Sequence, residues 1–394
     1  MASPVNGSTS RSFASKHIKF DHVDKTQTPF HSPASDIPEN GRLDTAVNQR
    51  GTSMKDDPSK IERAGLSRRT VLELGALGLA AAVLPNAALA KDKKLKVAAI
   101  FATPIEEPWD NQIHVALQKA EKELGIEYKW SEKVQTADFS RVMREYAQGG
   151  YQLVLGDAFA AERESRRTAK QFPKTAWLFG SGAGPAEPNF GVFDNWIHEP
   201  AYLSGLIAGK MSKSGTVGAV AAMGIPEVNR LVNAFFAGAK EVNPNIKKKV
   251  AFIGSFFDPP KAKEAAVAQI DAGVDVIYAE RFGVIEAAVE KKILAISNMS
   301  DQSSLGPDTV ITGPVWDMYP TVEQAIKLVK AGVFTAQDYG DFSRMAKGGS
   351  FLAPYHKFDK TLPAEVKDLV EKKKAEILEG NFRVDVDENT PVSD

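Results

Sequence analysis

Trp109, Asp110 and Asn111 stand together, and the pairing of an aromatic face with an acid or amide returns at Asp157 and Phe159 and at Asn195 and Trp196. Trp316 lies beside Asp317, while Asn298 and Asp301 add an amide and an acid. An aromatic face stacks on a flat ring, and carboxylates or amides accept from or donate to its polar rim. Such a set suits an uncharged, planar, polar-edged solute. A phosphate or carboxylate guest would want a cluster of cations, and only Arg230 and Arg281 leave room for an anionic group. Met223 and Arg281, each just past an apolar run, complete the candidate ligand-binding set. Each residue alone has a plainer use: Asp110 or Asn111 can cap a helix, Trp109 can pack as a staple, and the others suit turns.

Catalysis is the competing chemistry, since paired acids can do general acid/base work. The chain has no cysteine, which excludes thiolate nucleophiles, thiolate metal sites and disulfides. Of six histidines, His17, His22 and His31 lie in a polar N-terminal stretch, and His114 and His198 fall within helical patterns. His356 stands alone. No nucleophile elbow or metal-ligand spacing is present, so binding without turnover is expected, with no cofactor and no metal. Basic and acidic residues number 49 and 50, a balance that offers no positive field to a nucleic acid.

The elements that must position these residues alternate. An apolar β-branched run at 94–101 is followed by a helix-period pattern at 109–124 that ends on Gly125. Strand patterns at 128–130, 153–155 and 176–179 then alternate with helical ones at 140–148 and 160–171. A second series pairs strands at 216–221, 249–253, 276–278 and 294–297 with helices at 200–211, 227–242, 260–272 and 283–290. Alternation of this kind predicts an α/β fold of two doubly wound lobes with parallel sheets. The candidate residues fall at strand ends, where such sheets bind ligands. Two glycine-bearing runs are set aside: GSGAG at 180–184 meets prolines rather than opening a helix, and GLIAGKMS at 205–212 lies inside a helical pattern.

At 394 residues, 43% hydrophobic and 25% charged, the chain is long enough for two domains. Residues 1–66 are polar without a period and read as a disordered extension. Ser67, Arg68, Arg69, an apolar run from Leu74, Pro85 and the small residues before Ala90 form a signal peptide over 67–90, of the twin-arginine type, with cleavage after Ala90. That run is too short and too interrupted for a spanning helix. Met54 makes a more ordinary start for such a signal, so residues 1–53 are expected to be an over-extended reading frame. Lobe 1 is expected over 91–197 plus 315–338, and lobe 2 over 198–314 plus 339–394.

Beyond these readings the chain resembles the basic membrane protein family of substrate-binding proteins, which includes purine nucleoside receptors of ABC importers. The resemblance spans residues 94 to about 355. It is carried by GYQLVLGDAF at 150–159, EPAYLSG at 199–205, FAGAKEVNP at 236–244, GSFFD at 254–258, KAKEAA at 261–266, GVIEAA at 283–288 and SDQ at 300–302. It implies a type I periplasmic binding fold, two Rossmann-like lobes joined by a hinge of three crossings, and an ABC permease and ATPase as partners. It also implies that Asp110 and Asn111 contact the ligand, that Phe159 stacks on it, that Asp157 approaches its polar edge and that Asp301 sits at the second crossing. A sensor partner in place of the permease stays open. The chain departs from the family at Glu107 to Asn111 and at Tyr278 to Phe282, where bulk replaces glycine. That bulk implies a ligand smaller than a nucleoside, such as a free purine base, with Glu280 or Arg281 filling the place of the ribose. Lacking the lipid-bearing cysteine of many relatives, the exported chain is expected to diffuse freely in the periplasm.

Overall fold

The computed structural model describes residues 93–394 except 158 and 160. The extension, the signal peptide and its cleavage site, all expected over 1–90, lie outside the described residues. The first series runs β1 (Lys96–Ile100), α1 (Pro108–Leu124), β2 (Glu127–Ser131), α2 (Thr136–Gln148), β3 (Leu153–Asp157), α3 (Glu162–Gln171), β4 (Ala176–Gly180) and β5 (Phe190–Phe193). The second begins with α4 (His198–Met211), β6 (Thr216–Ala221), α5 (Pro226–Val242), β7 (Lys247–Phe252) and α6 (Pro259–Asp271). It continues through β8 (Val276–Ala279), α7 (Val284–Lys291), β9 (Leu294–Ile296), β10 (Val310–Thr312) and β11 (Pro314–Trp316). The chain closes with α8 (Tyr319–Lys330), β12 (Ser350–Leu352) and α9 (Ala364–Leu378).

Two five-stranded parallel sheets result, ordered β2-β1-β3-β4-β5 and β10-β9-β8-β6-β7. Strands β1 and β6 are buried along almost their whole length, as expected where helices cover both faces of a parallel sheet. In β1, Ala98 and Ile100 face the cluster that holds Phe139 and Trp177, while Val97 and Ala99 join the larger cluster extending across both sheets. Strand order reverses between β1 and β3 in one sheet and between β8 and β6 in the other, and ligands of open α/β sheets lie at such points.

Three chain passages join the lobes. One leads from β5 into α4, a second from β10 through β11 to α8, which packs on α1, and a third returns past Tyr339 to β12 and to α9, which packs on α4. β11 and β12 pair antiparallel across this hinge. Helices α4 and α5 meet through small residues: a Cβ on Gly205 would overlap the Phe235 carbonyl, and one on Gly238 would overlap that of Tyr202. The glycine-bearing run at 205–212 thus serves helix packing.

Most expected elements are present within a few residues of their predicted ends. α2 begins at Thr136, four residues earlier than expected, because Thr136, Ala137 and Asp138 are exposed and Phe139 is the first buried position of its apolar face. β5, which the strand patterns above do not include, is an edge strand buried at all four positions. β10 to β12 are three-residue strands, too short to show alternation. Among the described residues no helix is long and apolar enough to cross a membrane.

Candidate functional site

An inner cavity of about 110 Å³ lies where the carboxyl ends of the two sheets face each other. Ala102 and Thr103 follow β1, Asp157 ends β3, Ser181 follows β4, Phe256 comes after β7, and Glu280 and Arg281 follow β8. Two helix starts complete it. At α1, Pro108 occupies the first turn, where its missing N–H costs nothing, and Glu107 Oε2 accepts from the amides of Trp109 (2.8 Å) and Asp110 (3.2 Å). That cap aims Glu107 and Asp110 into the space between the lobes. At α5, Glu227 stands in the first turn.

Arg281 is the guanidinium of this cavity, and it is buried. Nη1 donates to Glu107 Oε1 at 3.0 Å and to the Phe256 carbonyl at 2.9 Å, while Nη2 donates to Glu280 Oε1 at 2.6 Å. Glu280 also accepts the Ala222 amide at 2.9 Å. A second inter-lobe bond runs from Ser181 Oγ to Glu227 Oε2 at 2.6 Å. Asp110, only 3% exposed, accepts from Thr103 Oγ1 at 2.5 Å.

The crowd of carboxyls shifts their acidity. Burial pushes Asp157 up to about 7, with the charges of Glu107 and Asp194 adding to it. Burial likewise pushes Glu227 up to about 8, aided by Asp194. Asp110 is raised well above the usual carboxylate range, first by burial and then by neighbouring Glu107.

Trp109, Asp110, Asp157, Phe159, Asn195 and Arg281 of the expected set border this cavity. Phe159 is 47% exposed and meets Phe256 edge-on across the lobes, ring centres 5.5 Å apart at 82°. Trp109 plays a double part, lining the cavity and stacking on Phe193 at 5.7 Å and 16°. Asn195 is fully buried and accepts from Arg230 Nη2 at 3.3 Å.

The other six expected residues lie elsewhere. Trp316 is fully buried in the hinge, where its indole N–H donates to Ser343 Oγ at 2.9 Å. Asn111 donates to the Ile105 carbonyl at 2.9 Å and shapes the loop before α1. Asn298 is buried and accepts from Tyr278 Oη at 2.6 Å. Asp301 is exposed and paired with His356 Nε2 at 2.6 Å, outside the cavity where the resemblance would place it. Met223 borders neither the inner cavity nor the outer chamber. Trp196 faces an adjoining outer chamber of about 440 Å³, but its ring lies under the Arg230 guanidinium, 4.1 Å from the ring centre.

Sequence reasoning passed over Ser181, Glu227 and Phe256. All three obey the strand-end rule: Ser181 was hidden in the discarded GSGAG run, Glu227 was read only as a helix start, and Phe256 only as part of a family motif. His114 and His198 do not border the cavity. His198 is fully buried, and burial with Arg344 and Arg230 nearby lowers it to about 3, so it is neutral. Among the described residues no group of three or more acids and histidines is placed to hold a metal.

Comparison with known proteins agrees with this architecture. A family profile described as ABC transporter substrate-binding protein, PnrA-like, matches residues 94–338. A purine-binding protein of Brucella abortus (strain 2308) is 32% identical over 297 residues, 74% of this chain and 83% of that protein. A Haloferax volcanii protein, named provisionally as an ABC transporter glucose-binding protein, is 31% identical over 263 residues, 66% of this chain and 65% of its own length. The crystal structure of an ABC transporter solute-binding protein from Aeropyrum pernix K1 superposes with a TM-score of 0.64 at 20% identity, over 74% of this chain and 94% of that one, which shows a shared fold. With two parallel lobes, a cavity at their switch points and a profile match across most of the described chain, this protein belongs to the PnrA-like family of ABC transporter substrate-binding proteins.

Proposed function

We propose that the protein is an extracytoplasmic receptor, exported to the periplasm by the twin-arginine route, that captures a small planar solute and delivers it to an ABC permease and ATPase for import. The guest is a purine base or a similar heterocycle. Trp109, Phe159 and Phe256 offer it apolar faces, and Asp110, Asp157, Asn195 and Glu227 meet its polar rim. Binding draws the lobes together, because a ligand that contacts both shifts the equilibrium towards the closed form. No turnover follows.

One observation carries this reading: the inner cavity, about 110 Å³, is lined by aromatic rings and spanned by two inter-lobe bonds, a space that suits a small flat ring system. The purine-binding Brucella relative supports it, while the name of the Haloferax relative favours glucose as a second reading. Calorimetric titration of solute-stripped protein with adenine, guanine, xanthine, their nucleosides and D-glucose tests both. A base that binds more tightly than its nucleoside supports the first reading. Tighter binding of every nucleoside, or of glucose, overturns it. Native mass spectrometry of freshly purified protein identifies any solute that co-purifies, and incubation with that solute checks for turnover.

A further inference from the structure

The hydrogen-bonding character of the inner cavity is lopsided. Asp110, Asp157 and Glu227 come from three separate elements and all border it. Thr103 donates to Asp110 Oδ2 only, the Phe159 amide donates to Asp157 Oδ1 only, and Ser181 donates to Glu227 Oε2 only. The opposite oxygens, Oδ1 of Asp110, Oδ2 of Asp157 and Oε1 of Glu227, have no hydrogen-bond partner among the described residues. Most side-chain donors at the same cavity are engaged: Thr103 and Ser181 with these carboxyls, Arg281 with Glu107, Glu280 and the Phe256 carbonyl, and Asn195 with Met299 Sδ, which leaves the Trp109 indole N–H as a donor without a partner among the described residues.

The three unpartnered carboxyl oxygens still reach solvent, so a guest that cut them off from water without offering a partner would incur a desolvation cost, which a guest that supplies N–H groups avoids. A guest carbonyl placed against the same oxygens meets an acceptor wherever the carboxyl is ionised, and is accepted only where that carboxyl keeps its proton. The geometry points to a cavity that selects amine-bearing heterocycles, rich in N–H donors, over their oxo counterparts of the same size. This inference rests on the proposal that the guest is a flat heterocycle, but it does not need the ring to be a purine.

The burial that raises Asp157 and Glu227 adds a second readout. A guest that donates to these groups favours their ionised form, so binding releases protons to the buffer. A guest that presents a carbonyl favours the protonated form and takes protons up. The groups facing them are the carboxylates of Glu107 and Asp194 and the guanidiniums of Arg281 and Arg230.

Two matched pairs test the inference: adenine against hypoxanthine and cytosine against uracil, titrated calorimetrically into the solute-stripped protein in buffers of different ionisation enthalpy. Each amino compound is expected to bind about 10- to 100-fold more tightly than its oxo partner, because a site built around a guest N–H rejects the analogue lacking it. Its binding is also expected to release protons near pH 7. Asp157→Asn keeps an acceptor for the Phe159 amide but adds a donor, so the preference within each pair should shrink about tenfold. Glu227→Gln serves as the second variant should the first fail to fold. Purines that bind without an amino preference overturn the inference and leave the purine reading standing. Cytosine binding over uracil with no purine bound does the reverse, and if none of the four binds, both fall.

Discussion

Arg281 of the second lobe donates to Glu107 of the first at 3.0 Å, with both side chains buried, so the cap of α1 and the end of β8 form one ion pair across the cleft. Glu107 thereby does two tasks, closing the helix start with one oxygen and holding the opposite lobe with the other. Removing one partner of a buried pair costs about 3–5 kcal/mol where the other charge is left uncompensated, and less here because Arg281 keeps Glu280 as a counter-ion. Glu107→Gln is expected to weaken solute binding by at least about 100-fold, a shift of about 2.8 kcal/mol. Titration calorimetry reads the affinity, and small-angle scattering should show a larger radius at the same solute concentration.

Trp109 is as much a structural residue as a lining one. Its ring is wedged between Gly180, Phe193 and Trp316, so Trp109→Ala opens a void in the hinge. Truncating a buried tryptophan costs about 3–5 kcal/mol of stability. Urea denaturation should reveal that loss together with weaker binding. An unchanged midpoint would contradict the packing described here.

Phe159 provides the contrasting case. It is half exposed and meets Phe256 of the opposite lobe edge-on, so Phe159→Ala should change the melting temperature little. Loss of one stacking face is worth about 0.5–1.5 kcal/mol, which predicts a dissociation constant raised up to about tenfold. Affinity and melting temperature measured on the same preparation separate the two effects.

Asp301 is predicted to be silent in binding. Its carboxylate is exposed and paired with His356, and exposed ion pairs contribute about 0–1 kcal/mol. Asp301→Ala should leave the dissociation constant within about twofold, less than 0.5 kcal/mol. A larger loss would restore the role that the family resemblance implies.

Stability should depend on pH through the cavity carboxyls. Asp157 at about 7 and Glu227 at about 8 hold protons in the folded state that the unfolded chain, with pKa values near 4, has already released. Their contribution is complete below about pH 4 and is lost as the pH rises through 7 and 8. The melting temperature of solute-stripped protein should therefore fall from pH 6 to pH 9. The double variant Asp157→Asn, Glu227→Gln should flatten that slope, and an equally steep slope would refute the assignment.

The alternation of apolar runs with helix-period segments was enough to foresee two doubly wound lobes, since a parallel strand covered on both faces must be apolar along its length, as β1 and β6 are. The strand-end rule also located half of the candidate residues at the inner cavity. Asn298 and Asp301 follow β9, one strand beyond the reversal between β8 and β6, and do not border the inner cavity. Trp316 is buried in the hinge, and an aromatic there looks in the sequence like an aromatic in a pocket until its neighbours are known.

Local pattern determined which segments become strands and helices, because burial of one face or two is written in the order of apolar residues. Which loops converge was decided only by the tertiary structure, since strand order and the hinge bring Glu107 beside Arg281, 174 positions away, and Ser181 beside Glu227. No pattern within a single segment encodes a contact made across two sheets.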